Sequence, residues 1–332
     1  MLATKMEWIV GNLIKTFIIS SVGIIVLLIL RSTLFQKYRK VVSYYSWIIL
    51  LIRTMFPISI TIDVTEIIKN ASNSISSFLK LFINIGDKLE IISNIKIIGY
   101  IWLIGAIIVA IYKISTYIAL KKNILGISYA VEDKRIIDIY NKVLKDMNIN
   151  KEIHLKQNKD NVIPFGIGIF KKYIVLPNIN YNNEQIEWIL RHELTHFKYN
   201  DILVKMLYMI VSIIYWFNPL IYLISKVIEA DCELSCDERV LRRCRQEQKQ
   251  QYALTILTSV KQCRNNNIGI STTLGREFSI KFRVERIFAE NLKRGFTIIV
   301  CIFLLILATM FNFTINDNQA INDYNIKIEQ NK

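Results

Sequence analysis

The apolar positions of this chain fall into two kinds of pattern, and the change from one to the other divides the sequence. Residues 8–30, 41–60, 97–120 and 296–313 are nearly unbroken apolar runs, each close to the roughly 20 residues a helix needs to cross a bilayer core. Lys15 interrupts the first run and Arg53 the second, and both read as long cations snorkelling toward an interface. No small-residue cleavage site follows the first run, so it reads as an anchor rather than a removed signal peptide. Between the third and fourth runs the period changes. Ile136, Ile137, Tyr140, Val143, Leu144 and Met147 recur at helical spacing within 132–148. Residues 152–157 then read as a strand and 162–177 as a hairpin turning at Lys171-Lys172. A second amphipathic helix follows the cap-forming Asn182-Asn183-Glu184, with Ile186, Ile189, Leu190, Leu194 and Phe197 along one face.

Composition turns these runs into membrane spans. Of 332 residues 52% are hydrophobic and four are Pro, with a mean hydropathy of +0.33, more apolar than a soluble domain of this size requires. The net charge of +15 is largely a topological signal. Arg31, Lys37, Arg39 and Lys40 sit in the first connection, and Lys121, Lys122, Lys293 and Arg294 bracket the region between the third and fourth runs, which places these segments in the cytoplasm. Residues 61–96, residues 314–332 and both termini then face outside. The basic residues carry no recognisable DNA-binding motif, so no direct nucleic-acid partner is expected. Cys232, Cys236, Cys244 and Cys263 fall on the cytoplasmic side and Cys301 in the last run, where free thiols are expected.

The candidate chemistry is concentrated in Arg191-His192-Glu193-Leu194-Thr195-His196, which uses two of only three histidines. On a helix, His192 and His196 share a face and can reach one tetrahedral zinc ion, while Glu193 addresses the water on its open position. The reaction class is peptide hydrolysis. A third ligand must come from downstream, and Glu233 in the acidic run 229–238 is the best candidate, with Asp237 four residues on placed to orient a ligating imidazole. Asp201 is a rival ligand but reads better as the N-cap of the apolar helix after it. His154, in a strand-like setting without an acidic partner, reads as structural. Tyr199, Tyr252 and Arg191 are all available to stabilise an oxyanion, and the sequence does not choose among them. An exposed strand edge beside the zinc could hold an extended peptide.

Residues 202–228 are apolar enough to cross the bilayer, but a single crossing would leave Glu233 on the side opposite His192 and His196. Asn218-Pro219 offers a break, so a hairpin returning at the membrane surface, or dipping into it, is expected. The fold class is therefore a membrane α-helical protein with an inserted α+β zinc metalloprotease lobe, having four spanning helices and a re-entrant hairpin. Its parts are an N-terminal membrane region 1–120, a cytoplasmic protease domain 121–294 containing the hairpin 202–228, and a last span with a short external tail 295–332.

Taken in order, Pro164-Phe165-Gly166 through Leu176-Pro177, the HExxH segment, Tyr215-Trp216-Phe217-Asn218-Pro219-Leu220 and Glu233-Leu234-Ser235-Cys236-Asp237 resemble the BlaR/MecR family of membrane zinc metallopeptidases over nearly the whole chain. The resemblance implies that the α+β lobe is gluzincin-like, with zinc on His192, His196 and Glu233 and Glu193 as general base. It also implies a cytoplasmic lobe that cleaves itself and leads to loss of a transcriptional repressor. The 263–275 segment, rich in Asn, Gly, Ser and Thr, is the expected self-cleavage region. Residues 314–332 are too short for the family's external penicillin-binding domain, and Ser77-Phe78-Leu79-Lys80 lacks its companion elements, so direct antibiotic sensing is not expected. The expected partners are the lipid bilayer and a protein substrate, either a repressor or the chain itself; assembly into an oligomer is left open. A non-catalytic zinc-containing membrane adaptor or sensor is the alternative, against which the intact Glu193 speaks.

Overall fold

The computed structural model describes residues 2–56, 60–63, 95–159, 163–264, 273–289, 292–309 and 311–314. Two long helices, α1 (Leu2–Ser32) and α3 (Ile95–Gly126), contain stretches long and apolar enough to cross a membrane, Ile9–Ser32 and Ile97–Gly126. Ile97, Ile101, Ile104, Ile108 and Ile111 form an exposed apolar ridge along α3, the surface expected of a helix facing lipid. Between these helices lies α2 (Lys40–Met55), whose Val42, Tyr44, Trp47, Leu50 and Leu51 are buried against α1 and the later helices.

Two predicted spans end earlier than expected. The run 41–60 is helical only to Met55, and the run 296–313 forms α10 (Phe296–Ala308), 13 residues long. Pro57 follows the first of these helices and cannot continue it. The β-branched and aromatic residues beyond form β1 (Ile60–Asp63) and β6 (Phe311–Thr314), which pair in parallel at one end of the helices.

The lobe contains β2 (Ser128–Ala130), α4 (Lys134–Asp146), β3 (Ile153–Asn158), β4 (Phe165–Ile167), β5 (Lys172–Pro177) and α5 (Asn183–Lys198). The four strands form a sheet in the order β2-β3-β5-β4, which leaves β4 at an edge. The predicted hairpin is β4–β5, antiparallel, turning through Gly168 at φ 101°. Val143, Ile174, Leu190 and Leu194 are fully buried between α4, the sheet and α5. Burial of each such side chain contributes about 1.5–3 kcal/mol. His154 on β3 has an acidic neighbour after all: Glu152 Oε1 lies 3.6 Å from its Nε2, a solvent-exposed pair.

The remaining helices are α6 (Asp201–Ile214), α7 (Pro219–Val240), α8 (Gln246–Arg264) and α9 (Thr273–Ile287). The break expected at Asn218-Pro219 separates α6 from α7, with Asn218 Oδ1 accepting from Leu220 N at 3.0 Å and Pro at the first helical position. Helix α7 runs on past the predicted hairpin limit of 228 to Val240. The turn is held against α3: Trp102 Nε1 donates to Ile214 O at 2.7 Å and Trp216 Nε1 to Trp102 O at 3.2 Å. Gly105 makes room for this, because a Cβ there would lie 2.4 Å from the Trp216 ring.

Asp231 of α7 is fully buried and fastens that helix to the first two. Arg31 Nε contacts both its oxygens at 3.0 Å, Ser43 Oγ donates at 2.5 Å and Trp47 Nε1 at 3.0 Å. Removing one partner of a buried ion pair costs about 3–5 kcal/mol. Because the Arg31 side chain remains 26% exposed, the low end applies. We therefore expect Asp231→Ala to lose about 3 kcal/mol in reversible unfolding in detergent, whereas a change too small to resolve would show that this cluster does not hold α7.

Candidate metal centre

Helix α5 begins with a capping box: Asn182 Oδ1 accepts from Gln185 N at 2.8 Å and Gln185 Oε1 from Asn182 N at 3.1 Å. Its apolar face is committed to the lobe core, so the helical period turns His192, Glu193 and His196 toward α7. The Nε2 atoms of His192 and His196 lie 3.2 Å apart. Glu233 of α7 joins them, with Oε2 3.3 Å from His192 Nε2 and Oε1 3.5 Å from His196 Nε2. A tetrahedral ion with bonds of about 2.0–2.1 Å has donor–donor edges of about 3.4 Å, so this spacing fits a single zinc-sized cation.

The outer ring nitrogens are held so that the inner ones can donate lone pairs. His196 Nδ1 lies 2.7 Å from Asp201 Oδ2, and since a carboxylate only accepts, the proton is assigned to Nδ1. His192 Nδ1 lies 2.8 Å from Tyr252 Oη, whose hydroxyl donates to Asp237 Oδ1 at 2.6 Å. The tyrosine oxygen is thus left to accept from His192, which fixes the same tautomer. Arg283 of α9 grips Asp237 through Nε and Nη2 at 2.8 and 2.7 Å, and its Nη1 is 3.2 Å from Glu233 Oε2.

Charge in the cluster favours a cation. Burial works against protonation of His192, but Cys236 and Glu233 outweigh it and hold its pKa up to about 10. His196 is likewise raised, against its burial, by Cys236, Glu233 and Asp201. Glu233 is held well below the ordinary carboxylate range: burial would raise it, but His196, Arg283 and His192 prevail. Glu193 goes the other way, because burial raises it more than the two imidazoles lower it. A carboxyl raised in this way and set beside the two imidazoles suits a group that takes and returns a proton.

Cys236 is close enough to both histidines to be considered as a ligand. Its Sγ, however, approaches His192 Nδ1, at 3.5 Å, and Cys232 Sγ approaches His196 Nδ1, at 4.0 Å. Both those nitrogens already have shorter oxygen partners, so the thiols pack behind the rings and Glu233 is the better third donor. His192, Glu193, His196, Glu233, Tyr252 and Arg283 border a cleft of about 290 Å³. Its apolar walls include Phe165, Trp188, Ile256 and Val260. Edge strand β4 passes close over α5 here; a Cβ on Gly166 would lie 2.7 Å from the Phe197 ring and 3.6 Å from Glu193 Oε2.

Several expectations change. Asp201 is not the N-cap of α6; Asn200 occupies that position with φ 58° and no side-chain cap, leaving Asp201 free to hold His196. Tyr44 Oη also donates to Asp201 at 3.0 Å. Asp237 reaches His192 chiefly through Tyr252, its own oxygen being 3.5 Å from Nδ1. Of the three oxyanion candidates, Tyr252 lines the cleft, Tyr199 lies under the Arg239 guanidinium at 4.1 Å, and Arg191 is paired with Glu187 and Asp146. Arg283 was not anticipated, since nothing in the spacing of a single basic residue on a distant helix points to the site.

Comparison with known proteins identifies the family. The model of the BlaR1 peptidase M56 family matches residues 11–287. The chain belongs to this family. Similar proteins include the methicillin resistance mecR1 protein of Staphylococcus aureus and Staphylococcus epidermidis, 27% identical over 300 residues, covering 81% of this chain and 50% of those proteins. The regulatory protein BlaR1 of Bacillus licheniformis is 25% identical over 190 residues, 55% of this chain and 30% of its own length. That of Staphylococcus aureus is 28% identical over 246 residues, 71% of this chain and 41% of its own length. The chain thus spans about half the length of the relatives it matches, or less.

Loss of a carboxylate that orients a metal-ligating imidazole generally costs about 10–100-fold in metal affinity. Asp201→Ala is expected to weaken zinc binding by that factor in competition with a chelator of known affinity. Unchanged affinity would mean that His196 is held by other contacts.

Proposed function

We propose that this chain is a zinc-dependent endopeptidase embedded in the cell membrane, with its active site on the cytoplasmic side, and that it works in signal transduction. The observation that carries this reading is the convergence of His192, His196 and Glu233 at the edge lengths of a metal tetrahedron, with Glu193 in the same cleft. His192, His196 and Glu233 would hold zinc, which when bound polarises the scissile carbonyl and acidifies water at the site. Glu193 Oε takes a proton from the attacking water as its oxygen bonds to the carbonyl carbon. The same carboxyl then delivers that proton to the amide nitrogen as the C–N bond breaks. Asp201, Tyr252 and Asp237 keep the imidazoles in the donor tautomer, and Arg283 positions Asp237 and Glu233. Substrate lies extended along the free edge of β4, its side chains against the apolar walls of the cleft.

The two-sided arrangement supports the orientation, with both termini outside. The 31–40 connection, the site and the start of α10 lie at one end, where Lys293 bonds to Lys37 and Arg39 through the backbone. The β1–β6 pair lies beyond the far ends of α2 and α10. Basic residues Arg31, Lys37, Arg39, Lys40, Lys293 and Arg294 therefore gather at the site's end, as the cytoplasmic face requires. Residues 202–228 form the re-entrant hairpin at that face, and the apolar runs 8–30, 41–60, 97–120 and 296–313 make up the four spans. The substrate is the chain's own 263–275 segment, which lies largely outside the described residues, or a protein whose loss relieves repression.

Glu193→Gln tests this reading. It should keep stoichiometric zinc yet lose a factor of about 10²–10⁴ in the rate at which intact-mass analysis detects cleavage of the chain or of an unstructured test protein. A chelator should abolish wild-type cleavage and added zinc restore it. Cleavage that persists in Glu193→Gln would overturn the mechanism, and zinc without any wild-type turnover would favour a non-catalytic adaptor.

A further inference from the structure

The β4–β5 hairpin ends in an aromatic side chain that hydrolysis does not use. Phe170 is 94% exposed, the highest value among the described large apolar residues, and Lys171 and Lys172 follow it at the turn. A lone exposed Phe would be ordinary. Its position relative to α3 is what gives it meaning. Lys121 Nζ lies 6.0 Å from the centroid of the Tyr173 ring, and Tyr173 pairs with Ile167 across the hairpin. Tyr117, one turn back toward the middle of α3, lines a cavity of about 150 Å³ with Gly168, Ile169 and the α6 residues Met206 and Met209. Gly166 and Ile167 line the same cavity, so the hairpin lies alongside the stretch of α3 from Lys121 to Tyr117, the second of these about 6 Å deeper into the apolar run of that helix. The hairpin is thus held beside the end of a helix long and apolar enough to cross a membrane, and Phe170 stands exposed at its tip.

We infer that Phe170, Lys171 and Lys172 form a membrane-interface anchor whose partner is a bilayer surface containing anionic lipid. The ring enters the boundary between headgroups and acyl chains, where aromatic side chains concentrate. The two ammonium groups meet lipid phosphates at the negatively charged inner surface. Chemistry and position agree: an apolar tip alone would leave the partner open, but a tip flanked by two lysines and aligned with a helix fit to cross the membrane specifies it. Because β4 leads directly from this tip across Phe197 and Glu193, the anchor fixes how far the cleft stands from the bilayer. The inference rests on α3 crossing the membrane and not on the hydrolytic reading.

The test uses the full chain in nanodiscs of phosphatidylcholine and phosphatidylglycerol, which leave both membrane faces open to solutes. The emission of Phe170→Trp, after subtraction of the wild type with its five tryptophans, should be blue-shifted from that of a water-exposed indole. It should be lost to lipids brominated near the headgroup and resist aqueous iodide. Adding Lys171→Glu and Lys172→Glu should reverse that preference. Emission that iodide quenches and bromolipid spares would overturn the inference. Should the tryptophan disturb the hairpin, the wild-type chain gives the same answer: a diazirine-bearing phosphatidylglycerol should label the peptide spanning 169–173, and label confined to the apolar helices would contradict the anchor. Neither readout involves peptide hydrolysis or metal content, so their failure is distinct from failure of the proposed activity.

Discussion

One carboxylate has to return across the fold to two imidazoles, and most of the architecture follows from that requirement. His192 and His196 are placed by a single helix, but Glu233 belongs to the second helix after it, and the chain between is apolar enough to have carried it away. The reversal at Tyr215–Asn218 prevents this. Pro219 cannot supply the backbone donor that a continuing helix would need, Asn218 caps the new helix, and the tryptophan pair Trp102–Trp216 fixes the turn to α3.

Helix α7 then acts as the common member of several clusters, each centred on an acid. Asp231 binds Arg31, Ser43 and Trp47 of the first two helices. Glu233 meets the imidazoles of α5 and Arg283 of α9, and Asp237 meets Arg283 and Tyr252. Glu238 accepts from Lys40 N at 2.8 Å, capping α2 from outside at the end where the helix dipole favours an anion. Burial alone raises the Glu238 carboxyl, and the Lys40 amide and Arg286 oppose this without reversing it. Helices α1 and α2 and the candidate ligand Glu233 are therefore joined through one helix. A displacement of α1 or α2 reaches Glu233 through the same helix, which is a physical route by which a membrane event can alter the cleft.

The amount legible in the sequence depended on whether a feature was local. The HExxH spacing, the capping box before it, the hairpin of β4 and β5 and the break at Asn218-Pro219 are each written within a few residues, and the helix or turn follows from period and cap chemistry. The ends of α2 and α10 are not written in apolarity alone, because the β-branched and aromatic Ile60-Thr61-Ile62 and Phe311-Asn312-Phe313 satisfy both a membrane run and a strand. Asp201 was assigned to its nearest backbone role, whereas its oxygens are taken by His196 and Tyr44, contacts set by packing. Arg283 lay wholly beyond reach, because its partnership with Asp237 and Glu233 exists only after α9 closes over α7.

The convergence of two imidazoles and one carboxylate on a single cation is tested most directly by X-ray absorption at the zinc edge on the purified, zinc-loaded chain. The account predicts one zinc per chain with nitrogen and oxygen neighbours alone, at about 2.0–2.2 Å, and loss of that signature in Glu233→Ala. A sulfur neighbour at about 2.3 Å, placing Cys236 or Cys232 on the metal, or a spectrum unchanged by Glu233→Ala, would contradict it.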